Sequence, residues 1–160
     1  MGGVNGAEAL KALYALQEKD LEIDRLRAEA ESLPEELVAL QGQVETLEER
    51  LTNLLERRAE LEREYNRHSL DIEDLSAKEK QAEEEQKRAQ SAREQTQYEN
   101  RIQQIKDRIR ELLELSTPIM EAMENLEAEI AQVEEELAAL RPRLQELLEA
   151  NRARVAELEQ

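Results

Sequence analysis

From Leu26 to Leu75 the chain places a seam residue every three or four positions without once slipping phase. With Leu26, Leu33, Leu40, Leu47, Leu54, Leu61, His68 and Leu75 at heptad position d, position a holds Ala30, Leu37, Val44, Leu51, Arg58, Tyr65 and Ile72. A pattern sustained this long has one physical solution, a helix laid along another helix. The 3.5-residue period imposes a left-handed supercoil on the pair. A second unbroken seam runs from Tyr98 to Leu158. Its a positions are Ile102, Ile109, Ser116, Met123, Ile130, Leu137, Leu144, Asn151 and Leu158. Its d positions are Tyr98, Ile105, Leu112, Ile119, Leu126, Val133, Leu140, Leu147 and Arg154. Pro118 and Pro142 fall at c and f, outside the seam, where each deletes one backbone hydrogen bond and bends the helix.

Between the two seams the apolar signal dies, because Glu79, Ala82, Gln86 and Ala89 occupy the positions where the first would continue. Ser91-Ala92-Arg93-Glu94 and Thr96-Gln97-Tyr98-Glu99 both fit the capping box that starts a helix. Two seams of similar length around a polar tip with start signals predict an all-α fold, a long antiparallel two-helix coiled-coil hairpin. The expected arms are 32–90 and 97–160, with the turn at 91–96. Residues 7–31 are apolar but looser, and Ser32-Leu33-Pro34-Glu35 is a further capping box with Pro in the first turn. The seam phase nevertheless runs through Pro34, so 7–31 forms either a separate N-terminal helix or one kinked onto the first arm. The opening six residues, MGGVNG, read as a disordered start.

Register follows from the turn. Antiparallel layers pair a with d′, so paired residue numbers share a constant sum. A turn near Ser91 to Arg93 sets that sum at 184, with Leu54 facing Ile130, Leu47 facing Leu137 and His68 facing Ser116. A turn half a heptad earlier gives 177. The turn-like residues favour the first register. Flanking charges do not decide, since the first offers Arg50 to Glu136 and Arg57 to Glu129 and the second Arg50 to Glu129 and Asp71 to Arg108.

Composition narrows the function classes. The chain has no Phe, Trp or Cys, only three Tyr, and 38% charged residues, so its buried surface is a narrow seam of Leu, Ile and Ala. A net charge of -17 repels nucleic acid and anionic membrane. No apolar run approaches the ~20 residues of a membrane span and no signal peptide is visible, so neither a membrane nor secretion is expected. The absence of cysteine rules out disulfides and thiolate metal sites within the chain and fits a cytoplasmic protein. No phosphate-cradling glycine loop or nucleophile elbow is present, and a two-helix rod has almost no concavity in which to shift a catalytic pKa. The chain is read as non-enzymatic.

Few side chains invite a functional role. His68, the one histidine, sits at a core d position, where a neighbour such as Ser116 can satisfy it. It lacks the converging partners of a metal site. Glu83-Glu84-Glu85 and Glu134-Glu135-Glu136 point around the helix in different directions, as a solvated face does. Arg58, Tyr65, His68, Ser116 and Met123, with Pro118 alongside, are the weak points of the seams. Polar core residues of this kind fix register in long coiled coils; the alternative is a soft hinge. Residues 111 to 140 carry nine Glu and no Lys, Arg or His, either a solvated face or a dock for a basic surface. At the tip, Lys87, Arg88 and Arg93 cluster near Ser91 and Tyr98, a candidate contact point for a partner. Weak RNA contact by stacking is a lesser option there.

The order of these features resembles the bacterial C4-type zinc-ribbon proteins with a long N-terminal coiled-coil hairpin. "LYALQEKDLEIDRLRAEAESLPEEL" is similar to that family's Leu-rich start, acidic-Ile-Asp-x-Leu element and Leu-Pro-Glu-Glu-Leu. "SAREQTQYENRIQQI" resembles the family's tip at Ser91, Arg93, Tyr98 and Ile105. Glu94 and Gln95 stand where Thr-Asn is usual, and Gln97 replaces Glu. The two cysteine pairs of the ribbon are absent from this sequence, so zinc enters only if the full-length protein continues into a ribbon. The resemblance implies a cytoplasmic regulatory or chaperone-like adaptor with a transcription-related protein partner. The competing expectation is a structural spacer of filament type. The heptads fit a monomeric hairpin and a homodimer equally.

Overall fold

The computed structural model describes residues 6–159. It contains two helices, α1 (Gly6–Lys87) and α2 (Ala92–Leu158), packed against each other as an all-α helical hairpin, with no strand among the described residues. The disordered start expected over 1–6 lies outside the described residues except for Gly6, which opens α1. Two compact units divide the chain: Met1–Glu48 with Glu135–Gln160, and Glu49–Glu134.

Within the Glu49–Glu134 unit the buried side chains are Leu61, Ala82, Ile102, Ile105, Leu112, Ser116, Ile119, Ile130 and Val133. Every one is an a or d residue. Leu112 and Val133 retain only 1% exposure, and burial of such a side chain is worth about 1.5–3 kcal/mol. In the other unit the buried residues are Leu37, Val44, Leu47, Leu137 and Leu147, again all a or d. Every buried residue thus falls on an assigned face, but the seam is shorter than expected: Leu26 at d and Leu158 at a are 52% and 72% exposed.

Cross-helix ion pairs settle the register. In the Glu49–Glu134 unit, Arg58 Nη2 donates to Glu127 Oε1 at 2.9 Å, and Lys106 Nζ lies 3.8 Å from Glu79 Oε1. The 184 register sets Arg58 opposite residue 126 and Glu79 opposite residue 105, one position from the observed partners. The 177 register would move each partner eight residues, roughly 12 Å, away. In the other unit, Arg141 Nη2 donates to Glu48 at 3.4 Å, an e–e′ pair that the 184 register brings together. Arg57, expected opposite Glu129, turns instead to Glu60 on its own helix at 3.3 Å.

Three boundaries differ from the sequence reading. First, α1 runs through Pro34 unbroken. Ser32 does not cap a new helix there, and its hydroxyl donates to the Glu29 carbonyl at 2.8 Å. The seam holds the helix together: Ala30 and Leu33 are half-buried and Leu37 is buried, in phase across the proline. Second, α1 ends at Lys87, short of the expected 90, and the seam does not fade with the apolar residues after Leu75, since Ala82 is 2% exposed at the position facing Ile102. Third, α2 begins at Ala92, five residues before the expected 97, because Ser91 rather than Thr96 starts it.

Candidate functional site

The tip is built without glycine and without any left-handed residue among the described ones. α1 closes through a tightened last turn, in which the Arg88 and Ala89 amides donate to the Glu85 and Gln86 carbonyls at 3.0 and 3.1 Å. Ser91 then caps α2. Its Oγ accepts from the Glu94 amide at 3.2 Å, and its carbonyl accepts the first helical bond from Gln95 at 3.1 Å. Glu94 completes the box one residue early, its carboxylate accepting from the Gln90 amide at 3.2 Å. Gln86 spans the turn, its side-chain amide donating to the Gln95 carbonyl at 3.4 Å. Thr96 lies inside α2, where its hydroxyl donates back to the Ala92 carbonyl at 3.0 Å.

This scaffold presents the predicted tip residues unequally. Lys87, Arg88, Ser91 and Arg93 are exposed, and Tyr98 is half-buried opposite Gln86. Lys87 occupies the last turn of α1, where a cation complements the helix dipole, and so has a structural reason to be there. Arg93 stands in the first turn of α2, the end at which a cation is disfavoured. Ser91 is committed to capping. Helix stability thus accounts for Lys87 and Ser91 but not for Arg93.

Arg58, Tyr65, His68, Ser116 and Met123 all belong to the Glu49–Glu134 unit. Ser116 is buried and satisfied on its own helix, its hydroxyl donating to the Leu112 carbonyl at 2.7 Å. His68, which faces Ser116 across the seam, has Nε2 4.0 Å from Glu64 Oε1 one turn back. Among the described residues no group of three or more His, Cys, Asp or Glu is placed to hold a metal ion. Arg58 reaches Glu127 while its Nε is buried without a partner. α2 passes through Pro118 as helix. Tyr65 and Met123 line one wall of an open groove of about 260 Å³, together with Met120, Glu124 and Glu127.

Sequence reasoning missed Met120, Glu127 and the Gln86 bridge. Glu127 was findable, since the 184 register sets it one position from the residue opposite Arg58. Met120 was hidden because it flanks the seam at e, and an isolated exposed Met carries no periodic signal.

Among the described residues no helix is long and apolar enough to cross a membrane. No family model, no curated protein and no solved structure matches this chain.

Proposed function

We propose that this chain is a non-catalytic coiled-coil interaction module, the arm of a cytoplasmic regulatory or chaperone-like adaptor that engages a protein partner. The observation that carries the reading is Arg93. An exposed cation in the first turn of α2, beside exposed Arg88 and Lys87, costs helix stability and supplies none. A residue held against its local preference at an exposed turn is better accounted for by contact with something else. The likeness of the opening and tip sequences to the zinc-ribbon hairpin family points the same way and makes a transcription-related partner the first class to try. Zinc would enter only through a ribbon outside this sequence.

The spacer reading draws its support from the seam, which is continuous and needs no partner to exist. RNA binding draws less, because Tyr98 is half-buried in the seam and is not a free stacking face. Capture from lysate of the source cells, using the full chain and a Lys87→Glu/Arg88→Glu/Arg93→Glu variant, separates these readings. A tip-binding adaptor loses its partner in the variant. A spacer captures the same set with both, and an RNA tip loses only nuclease-sensitive material.

A further inference from the structure

We infer that the groove over Tyr65, Met120 and Met123 docks a basic amphipathic helix of a partner protein. The inference rests on the interaction-module reading and names the chemistry of the partner. Tyr65 and Met123 are a residues, half-buried, and Met120 beside them at e is 47% exposed. Positions a and e adjoin on the helix surface, so the groove is the e-flank of the seam. It is open to solvent, and its volume of about 260 Å³ lies below the ~300–1,000 Å³ of pockets that enclose small molecules. Such a recess suits one or two side chains of a docked helix. Leu113, one heptad before Met120 and 53% exposed, continues the apolar line. The two are about 10 Å apart along α2, the spacing of anchors at i and i+7 on a helix laid alongside. Methionine walls adapt to the side chain they receive.

The charge of the groove lining selects the partner. Glu124 and Glu127 line it with no Lys, Arg or His among the lining residues, and the stretch of α2 that carries it, residues 111 to 140, holds nine Glu and no cation. Glu111 pairs with Arg108 and Glu127 with Arg58; the other seven, Glu124 on the groove rim among them, have no ion pair among the described residues. A partner that brings Lys or Arg beside its apolar anchors relieves that repulsion. A second copy of this chain, at net charge -17, adds to it.

The test uses the full chain and a fluorescein-labelled 18-residue peptide of Leu and Lys arranged as a basic amphipathic helix. Binding is read by fluorescence anisotropy. Met120→Gln and Glu124→Lys are each expected to weaken it at least fivefold. Glu135→Lys, equal in charge change but distant in sequence, and Leu21→Gln, on the apolar start of α1, are expected to change it less than twofold. Circular dichroism melts should be unchanged, since all four sites are exposed. As a readout that needs no substitution, bound peptide should slow peroxide oxidation of Met120 several-fold relative to the peptide-free chain. No binding by the parent chain, equal losses from Glu135→Lys and Glu124→Lys, loss only in Leu21→Gln, or unprotected Met120 would each overturn the groove. If the peptide fails while tip-dependent capture holds, the groove is wrong and the module stands. If capture finds no partner for any form, the module reading falls as well.

Discussion

Two stretches of α1 invert the usual relation between composition and burial. From Leu10 to Leu26 the helix carries seven large apolar side chains, and they are 46% to 69% exposed. From Ser76 to Lys87 it carries none, yet Ala82 is among the most deeply buried residues described. In a coiled coil a side chain is buried by what stands opposite it and only secondarily by its own hydrophobicity. Ala82 faces Ile102 in the 184 register, and a small residue against a large one closes the gap between helices. A stretch that looks like a loop by composition is therefore a packed layer.

The sharpest way to break this comparison is to make the same substitution on both sides of it. Leu112→Ala removes a side chain that is 1% exposed and should cost about 2–5 kcal/mol. Leu21→Ala, at a site 69% exposed, should change stability by less than ~0.5 kcal/mol, because Ala is the better helix former. Urea melts with unchanged slope would read both values. Comparable costs would mean that Leu21 is covered in solution.

The polar layer yields the second test. Ala82→Glu continues the local composition but forces a carboxylate against Ile102, and should cost about 1–3 kcal/mol. Gln81→Glu, one residue away and exposed, should stay within ~0.5 kcal/mol. If the two behave alike, Ser76 to Lys87 is not packed and the comparison collapses.

Much of this fold was legible in the residues. The heptads named every buried side chain but Ala82, since the period records which face meets the partner. The favoured register was legible because Ser91 and Glu94 mark the turn. Two features were not. The fading of apolar residues after Leu75 looks the same whether the helix ends or packs a small-residue layer, and only the position of Ala82 at d tells them apart. Pro34 after Ser32 looks like a helix start, and the continuing phase of Ala30, Leu33 and Leu37 outweighs it. The candidate sites were less legible still. The tip cluster is visible as charge, but that Arg93 opposes a helix dipole emerges only once α2 is known to begin at Ala92. The groove at Met120 depends on a flank position that carries no period.

The turn gives a third, smaller effect. Ser91→Ala removes the acceptor of the Glu94 amide and should cost about 1 kcal/mol. Thr96→Ala removes only a hydroxyl bonded back to the Ala92 carbonyl and should be neutral to slightly stabilising. Equal costs would mean that both capping boxes start α2 in exchanging populations, and amide exchange at Gln95 and Gln97 would then be fast.

The smallest effect carries its information in its sign. Arg58 and Glu127 are 41% and 52% exposed, so a double-mutant cycle should give a coupling of only about 0.2–1 kcal/mol, shrinking as salt rises. Arg58→Leu should then be neutral or stabilising. It fills an a position with an apolar side chain, removes the buried Nε that has no partner, and leaves Glu127 able to hydrate. What the substitution should lose is discrimination. Arg58 finds Glu127 in the 184 register, whereas in the 177 register it would meet Ile119. With leucine in place the second register ceases to bury an unpaired cation there, and the energy gap between the two narrows. Disulfide trapping between cysteines introduced at Leu54 and Ile130 reports the first register, and between Leu54 and Met123 the second. The parent arginine should give the first product alone, and Arg58→Leu should raise the second. If Arg58→Leu instead destabilises by more than about 1 kcal/mol and traps only the first product, the arginine is holding the layer together as a structural pair, and the register is fixed by the turn at Ser91.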